Sequence, residues 1–200
     1  MISDPKKCAI ILLAAGSSSR LGEPKQLLPW QDKTLLEHAI AAAVHAHVGP
    51  VMVVLGAHNE KIKPFLASSD YVINTHWQDG MAGSIRCGLE AVIEKYAGIH
   101  GAILSVCDQP FLLAAIFQQL LEKHTSSGKP IVASAYDDAT LGTPVFFHNS
   151  LFAELLKLTG DKGAKALIKK FDHHVATVLF PGGAMDIDTL ADYHHLKGQE

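Results

Sequence analysis

Short apolar runs alternate with amphipathic stretches along most of this chain. Runs that are apolar on both faces predict buried strands, whereas apolar residues spaced three and four apart predict helices. The predicted strands are 9–14, 50–55, 71–74, 101–106, 131–135, 143–147 and 175–179. The predicted helices are 34–47, 61–66, 84–96, 112–124, 151–158, 162–171 and 190–196, with Thr34 as the N-cap of the first.

The alternation of strands and helices predicts an α/β fold. Strands buried on both faces are typical of parallel sheets covered by helices on both sides, so we expect a doubly wound, mostly parallel sheet. Ligands of such folds bind at the carboxyl ends of the strands. The loops that follow 9–14 and 101–106 should therefore face one crevice. No repeat, linker or low-complexity segment interrupts the 200 residues, which predicts a single domain over 1–200.

Composition narrows the classes of ligand and partner. Hydrophobic residues make up 48% of the chain and charged residues 18%, which favours a folded protein with a sizeable core. The formal net charge is −3 and no long basic run occurs, so a nucleic-acid partner is disfavoured. The N-terminal MISDPKK lacks the apolar core of a signal peptide, and no apolar stretch is long enough to span a bilayer. We therefore expect a cytoplasmic protein with no membrane partner.

Neither the cysteines nor the histidines form a metal-binding pattern. Cys8, Cys87 and Cys107 are widely spaced and include no C-x-x-C, so we interpret them as buried, reduced thiols. The twelve histidines lack H-E-x-x-H and any paired Cys/His spacing. We expect most of them to lie on the surface or at helix ends.

The first predicted strand is followed by a loop of small residues, AAGSSSRLGEPK. Small side chains let backbone N–H groups approach an anion closely, and Arg20 and Lys25 would add positive charge. The loop does not match G-x-x-x-x-G-K-[ST], because two residues separate Gly22 from Lys25, and it does not match G-x-G-x-x-G. It predicts a phosphate-binding loop of another kind. The alternative is a connector whose two cations are merely solvated.

Two further stretches carry carboxylates. Asp108, in SVCDQP, follows the strand 101–106, and an acid beside a phosphate loop suits Mg²⁺, which takes one or two carboxylates together with substrate phosphates. The alternative for Asp108 is a helix cap. Asp186 and Asp188, in MDIDTLADY, flank Ile187 on one face of an extended segment. The alternative for this stretch is a polar turn that caps the last helix.

Taken together, these stretches resemble one known family. The pattern L-x-A-G-x-S-x-R-[LM]-G-x-x-K after an N-terminal strand is similar to the nucleotide loop of nucleotidyltransferases with a Rossmann-like fold. Within these, LAAGSSSRLGEPKQLLPW resembles the MobA/MocA-like group, above all molybdenum cofactor cytidylyltransferases. The resemblance runs in order from about residue 8 to 193. It implies one Rossmann-like, mostly parallel sheet of the nucleotide-diphospho-sugar transferase type.

The resemblance also implies roles for particular residues. Arg20, Lys25 and Asp108 match the family's catalytic positions. Asp108 and Asp188 match its Mg²⁺ ligands, and Asp186 is the weaker candidate. The implied nucleotide-binding residues are Ala14, Ala15, Gly16, Ser17, Arg20, Lys25, Gly80 and Ser84. The implied acceptor-binding residues are Gly142, Pro144, Asp161 and Lys162.

Some positions depart from the family pattern. Leu21 stands where methionine is more usual, and Leu190 stands where proline is usual. Ala82 and Gly83 replace serines that are commoner in the loop near the base and ribose, so hydroxyl contacts are not expected there. Trp77 lies in the same loop, and we interpret it as core rather than as a residue that stacks on the ligand.

The implied reaction is Mg²⁺-dependent nucleotidyl transfer, in which a phosphate of the acceptor attacks the α-phosphorus of an NTP and pyrophosphate leaves. This chemistry depends on positioning and charge neutralisation. It needs no general base, because the attacking phosphate is already ionised at neutral pH. Cytidylyltransferases of the family read L-A-A-G where guanylyltransferases read L-A-G-G, so Ala15 points to CTP. The implied acceptor is molybdenum-bound molybdopterin, and a transient contact with a molybdenum hydroxylase is compatible with this reaction.

Two other functions stay open at this point. A sugar-phosphate nucleotidylyltransferase would share the loop and the acids. A non-catalytic accessory protein would bind a nucleotide or a pterin and deliver cofactor to a molybdenum hydroxylase. A protein that only binds has little need of both acids, which favours an enzyme.

Overall fold

The apolar runs of the sequence form the strands of a central sheet. The computed structural model describes residues 8–66, 68–137 and 139–198, and the N-terminal MISDPKK lies outside these ranges. All the predicted strands are confirmed. The structure adds a hairpin of two strands with two residues each, which are too short to give a periodic signal. The described strands are β1 (Cys8–Ala14), β2 (Pro29–Trp30), β3 (Lys33–Thr34), β4 (Val51–Leu55), β5 (Asp70–Ile73), β6 (Gly101–Val106), β7 (Ile131–Ala135), β8 (Leu141–His148) and β9 (Val175–Leu179).

The predicted helices are also present, with shifted ends. The stretch 61–66 is a short helix followed by a 3₁₀ turn, and 151–158 contributes only one helical turn. Thr34 caps the first helix as predicted, because its hydroxyl accepts from the Glu37 N–H and the Glu37 carboxylate accepts from the Thr34 N–H. The described helices are α1 (Leu35–His45), α2 (Asn59–Ile62), α3 (Met81–Lys95), α4 (Ala114–Ser127), α5 (Phe152–Leu155), α6 (Ala164–Lys170) and α7 (Leu190–Lys197).

The strand order places the two loops of interest at one edge. Over the described ranges, seven strands form one sheet in the order β5-β4-β1-β6-β8-β7-β9. β1 pairs in parallel with β4 and β6, while β8 runs antiparallel to both of its neighbours. Leu13 lies opposite Val106 in the β1–β6 register, so the loops after β1 and β6 leave the sheet side by side. The mostly parallel sheet and the shared crevice are confirmed.

Helices cover both faces of the sheet, which explains why the strand runs are continuously apolar. Along β1, Ile10 and Leu12 pack into a cluster with α1 and α4 on one face. Ile11 and Leu13 pack on the other face with α3, α5 and α6. Successive side chains of a strand point to opposite faces, so a strand covered on both sides needs an apolar residue at every position.

A third, smaller apolar cluster connects the two ends of the chain. Ile187 and the α7 residues Tyr193 and Leu196 pack there against Trp30 and against leucines from the first loop and α1. The Tyr193 hydroxyl donates to the Pro29 carbonyl at 2.7 Å. This packing holds the segment that contains Asp186 and Asp188 against the loop after β1.

The cysteines differ partly from the prediction. All three are free thiols; Cys8 and Cys107 are buried, but Cys87 is only half-buried on the outer side of α3. Burial raises the pKa of Cys8 to about 12, and burial followed by the charge of Asp108 does the same for Cys107. Across the described ranges, no helix combines the length and the apolarity that crossing a bilayer would require.

Candidate functional site

Four predicted residues from three separate parts of the chain meet in one ion-pair cluster. Lys25 Nζ donates to Asp108 Oδ2 and, at 2.9 Å, to Asp188 Oδ1. Arg20 Nη2 donates to Asp188 Oδ2 at 2.8 Å. Lys25 and Asp108 are largely buried, Asp188 is partly exposed, and Arg20 is exposed. The cluster thus joins the loops after β1 and β6 to the segment before α7.

The cluster stabilises both its central cation and one of its acids. Burial disfavours the charged form of Lys25, but the charge of Asp108 and hydrogen bonds to Asp108 and Asp188 outweigh it and hold the Lys25 pKa above its usual range. For Asp188, burial is likewise outweighed by the hydrogen bonds and charges of Lys25 and Arg20, so its pKa lies below the usual value. Lys25 is therefore an ammonium and Asp188 a carboxylate at neutral pH.

Asp186 occupies a different environment from Asp188. Within the described ranges it makes no ion pair. Desolvation, followed by repulsion from Asp108, raises the pKa of Asp186 to about 6. Lys25 and Lys165 oppose this shift. The two acids of the MDID stretch therefore differ in charge state near pH 6.

The loop after β1 is held in shape by a residue that the sequence analysis missed. Gln26 is buried, and its Nε2 donates to the carbonyls of Ala14 and Gly16 at 2.9 and 3.0 Å. The Ser18 hydroxyl accepts from the Lys25 N–H at 3.0 Å. These bonds fold the loop back on itself and orient Lys25. Nothing local in the sequence indicates this role, because the burial of Gln26 arises only in the folded chain.

A cavity of about 350 Å³ lies beside the cluster. It opens between the loop after β1 and the N-terminal end of α3, where the helix dipole favours negative groups. Of the predicted nucleotide-binding residues, Ala14 and Arg20 do not line it. Trp77, which we expected in the core, is half-buried and contacts both the core and the cavity. The lining residues are Leu13, Ala15, Gly16, Ser17, Lys25, Trp77, Gln78, Gly80, Met81, Ser84, Val106, Asp108 and Asp161.

The predicted acceptor-side residues fall into two groups. Asp161 lines the cavity, because the 160–161 turn packs directly on Gly80, where an added Cβ would lie 2.5 Å from the Gly160 carbonyl carbon. Lys162 follows it and is exposed. Gly142 and Pro144 lie on β8 and do not line this cavity.

Position 142 needs a glycine because the side chain of a tyrosine packs directly against it. A Cβ at this position would collide with the Tyr136 hydroxyl. That hydroxyl donates to the Thr143 carbonyl at 2.6 Å and accepts from Gln109 Nε2 at 2.8 Å. Gln109 Nε2 also donates to the Gly183 carbonyl at 2.9 Å. This network, which the sequence analysis did not anticipate, links the loop containing Asp108 to β8 and to the turn before Asp186.

The acids fit a divalent cation. Asp108 Oδ1 is buried and has no hydrogen-bond partner within the described ranges. A buried oxygen of this kind is costly unless it is coordinated, and carboxylate oxygens are the ligands that Mg²⁺ prefers. Asp108 and Asp188 already share one cation, the Lys25 ammonium. In the part of the chain described, no three His, Cys, Asp or Glu side chains form a metal cluster, so substrate oxygens would have to complete the coordination.

Comparison with known proteins identifies the family of this arrangement. Residues 10–176 match the MobA-like NTP transferase domain family, a range that includes the loop after β1 and Asp108 but ends before Asp186 and Asp188. Among solved structures, Rv0371c from Mycobacterium tuberculosis has a TM-score of 0.82 and 30% identity, covering 95% of this chain and 96% of that one. A structure of Rv0371C in complex with manganese has a TM-score of 0.81 and 28% identity, covering 97% of this chain and 100% of that one. The nucleotide-diphospho-sugar transferase fold is thereby confirmed.

Relatives found by sequence carry names that differ from one another and from the name of the matched family. The bifunctional protein GlmU of Mycobacterium marinum is 31% identical over 141 residues, which make up 65% of this chain but only 28% of that protein. Nicotine blue oxidoreductase from Paenarthrobacter nicotinovorans is 29% identical over 168 residues, which is 80% of each chain.

Proposed function

The chain belongs to the MobA-like NTP transferase family, and from that membership we propose that it transfers a nucleotidyl group from an NTP to a phosphorylated acceptor and releases pyrophosphate. The NTP is CTP and the acceptor is molybdenum-bound molybdopterin. We further propose that residues 1–200 act as one nucleotidyltransferase domain.

The observation that carries the proposal is the meeting of Lys25, Asp108 and Asp188 beside a cavity whose wall is a loop of small residues. Nucleotidyl transfer requires cations close to the triphosphate and acids that hold a divalent metal. A protein that merely stores a nucleotide has no need to bury a lysine between two carboxylates drawn from distant parts of the chain. The arrangement therefore favours an enzyme over a non-catalytic accessory protein.

Lys25 and Arg20 neutralise the charge of the triphosphate. Lys25 is anchored by its backbone N–H to Ser18, while its ammonium is held, among the described residues, by the two acids alone. An arriving phosphate competes for that ammonium, which is permanently charged. Arg20 is exposed, pairs with Asp188, and would reach the outer phosphates. The acceptor phosphate is ionised at neutral pH, so it attacks the α-phosphorus without a protein base.

Asp108 and Asp188 hold Mg²⁺ in this proposal. The metal would neutralise part of the charge of the triphosphate and of the leaving pyrophosphate. The similar protein Rv0371C has been solved in complex with manganese, which supports the proposal that this chain binds a divalent ion. Asp108 contributes Oδ1, which lacks a protein partner among the described residues, and Asp188 remains ionised because of Lys25 and Arg20.

Ala15 supports CTP as the nucleotide. It is buried, lines the cavity next to Trp77, and carries a Cβ where the guanylyltransferase pattern has glycine. The added methyl reduces the space for a purine on that side. Discrimination by one such group is on the order of 1–3 kcal/mol, or roughly 10- to 200-fold in kcat/KM. We expect Ala15→Gly to narrow a CTP preference over GTP, and a preference for GTP in the unmodified protein would contradict this assignment.

A second acceptor class is favoured by one specific observation. The similarity to GlmU supports nucleotidyl transfer to a sugar phosphate as the second candidate function. The two candidates share the loop after β1 and the two acids, and the acceptor is what discriminates between them. The molybdopterin proposal rests on the LAAGSSSRLGEPKQLLPW resemblance, and a molybdenum hydroxylase is the transient partner that would receive the product.

One assay separates these possibilities. Pyrophosphate release is measured with CTP, GTP, UTP and ATP in the presence of Mg²⁺, each with a molybdopterin source, with a panel of sugar 1-phosphates, and without an acceptor. We expect release with CTP and molybdopterin only. Release with a sugar phosphate would identify that class as the acceptor in place of molybdopterin. No release under any condition would overturn nucleotidyl transfer and favour the non-catalytic accessory function.

A further inference from the structure

A buried polar pair, Ser84 and Asn74, lies at the wall of the candidate-site cavity, where Ser84 lines the cavity and Asn74 lies behind it. Their side chains are almost fully shielded, with 6% and 5% of each residue exposed. Asn74 directly follows β5, and Ser84 lies in the first turn of α3. Ser84 lines the cavity, and Asn74 Nδ2 contacts its hydroxyl at 3.1 Å. Two buried polar groups at the wall of an otherwise largely apolar cavity need a defined hydrogen-bonding pattern.

The direction of the hydrogen bond between them follows from a third contact. The His76 N–H donates to Asn74 Oδ1 at 3.0 Å, and only an oxygen accepts such a bond, so the orientation of the Asn74 amide is defined. Its NH₂ group then faces Ser84 and has no lone pair to offer, so the Ser84 oxygen accepts. The hydroxyl proton of Ser84 must be donated elsewhere. Within residues 8–66, 68–137 and 139–198, Ser84 Oγ donates no hydrogen bond.

We propose that Asn74 holds the Ser84 hydroxyl as a hydrogen-bond donor toward the cavity, so that the bound nucleoside must present an acceptor atom to it. Ser84 is the contact residue and Asn74 a positioning residue that sets the polarity of that contact. This inference rests on the proposed function, since it concerns the nucleoside part of the NTP.

The surroundings of Ser84 make this polarity selective. Ala15, Trp77 and Val106 provide apolar walls to the same cavity, and the N-terminus of α3 adds a positive potential. A ligand that offers an N–H donor at this point would leave two donors facing each other with little water to relieve them. A carbonyl oxygen or ring nitrogen of a base, or a ribose oxygen, satisfies the site.

Two single variants test the proposal through the dissociation constant of CTP with Mg²⁺, measured by calorimetry. Ser84→Ala removes the donor and should weaken CTP binding roughly 2- to 13-fold, the range for one neutral hydrogen bond. Asn74→Asp keeps the shape and still accepts from the His76 N–H, but its carboxylate takes the Ser84 proton. It should weaken CTP binding at least as much as Ser84→Ala. Asn149→Asp, an exposed change beyond the opposite end of β6, is the charge control and should bind CTP normally.

The double variant separates positioning from direct contact. If Asn74 acts through Ser84, Asn74→Asp combined with Ser84→Ala should bind CTP no more weakly than the weaker single variant. If the losses of CTP affinity in the two single variants multiply in the double variant, the positioning role is overturned. If the Ser84→Ala protein binds CTP as well as the unmodified protein, the whole inference is overturned. Thermal melts of the single variants check that the fold is retained.

A second ligand locates the acceptor atom. With 2′-deoxy-CTP, a Ser84→Ala penalty equal to that for CTP assigns the acceptor to the base, and a vanished penalty assigns it to the ribose 2′-hydroxyl; both outcomes support the proposal. If the unmodified protein binds no NTP at all, the proposed function itself fails. If it binds CTP but neither variant changes the affinity, only the present inference fails.

Discussion

At the scale of single residues, Lys25 carries the largest share of the proposed chemistry. It is the one cation that contacts both acids in the described part of the chain. We predict that Lys25→Ala lowers kcat/KM by about 2.7–4 kcal/mol, or roughly 100- to 1000-fold, because a preorganised charge at the developing transition state is lost. The measurement is pyrophosphate release by a protein shown to be folded by circular dichroism.

A matched lysine provides the control for this variant. Lys33 is exposed and pairs only with neighbouring Asp32 within the described ranges, so Lys33→Ala should retain normal turnover. Comparable activity of the Lys25→Ala and Lys33→Ala proteins would remove Lys25 from the catalytic machinery.

The two acids of the MDID stretch should respond oppositely to pH in metal-free protein. The Asp186 pKa is raised to about 6, so the folded state binds its proton more tightly than the unfolded state, and the contribution of Asp186 to stability falls as pH rises from about 4 through 6. Asp186→Asn should therefore raise Tm at pH 8 relative to the unmodified protein, and this gain should disappear near pH 4. The measurement is Tm by differential scanning calorimetry in EDTA.

Asp188 is the internal comparison for that experiment. Its pKa is lowered by Lys25 and Arg20 against the effect of burial, so it contributes stability above its usual pKa and loses it in acid. Asp188→Asn should lower Tm at pH 8 and lower it less at pH 3. A lower Tm for Asp186→Asn at pH 8 would contradict the environment assigned to Asp186.

At the scale of elements, the glycines of α3 set how closely this helix approaches the sheet. A Cβ at Gly88 would lie 2.6 Å from methyl groups of Ile11 and Val54, both β-branched and fully buried. Gly88→Ala should therefore destabilise the protein by about 1–3 kcal/mol of overpacking, more than the helix propensity of alanine returns. The measurement is the denaturant midpoint at an unchanged m value.

Gly83 lies on the same helix without that constraint. The nearest atom to an added Cβ is Asn74 Nδ2 at 3.4 Å, an ordinary contact. Gly83→Ala should be neutral or stabilise by up to about 1 kcal/mol. Equal destabilisation by the two substitutions would show that helix approach is not what requires Gly88.

At the scale of the whole molecule, the candidate site depends on the packing of α7. Leu196 is fully buried in the small cluster that also holds Leu21, Leu28 and Trp30. Leu196→Ala should cost about 2–5 kcal/mol and should release Asp188 from Lys25. We expect faster amide hydrogen exchange in residues 16–28 and 185–196, together with a loss of activity larger than the loss of folded protein explains.

A core residue far from this cluster is the control. Leu120 on α4 is equally buried but belongs to the cluster with Phe117 and Phe146, on the sheet face that α1 and α4 cover. Leu120→Ala should lower global stability by a similar amount without selective exchange in residues 16–28. Identical exchange patterns for both variants would mean that α7 does not hold the loop after β1.

The elements and the components of the site could be predicted from the sequence alone. Strand periodicity is local, so the apolar runs located every strand of the central sheet, and Thr34 located the start of α1. The small-residue loop and the acids were visible because each depends on neighbours a few positions away. The parallel majority of the sheet followed from runs that are apolar on both faces.

How these parts combine became visible only in the folded chain. Periodicity carries no strand direction, so the antiparallel β8 was not separable from its neighbours. The Arg20–Asp188 pair spans 168 positions, and nothing local marks which acid of MDID faces a cation and which is left with a raised pKa. The Gln26 anchor, the tyrosine over Gly142 and the polarity that Asn74 imposes on Ser84 are likewise set by contacts between separate segments. Such contacts arise when the strands pair and the helices pack, and their partners leave no periodic signal along the chain.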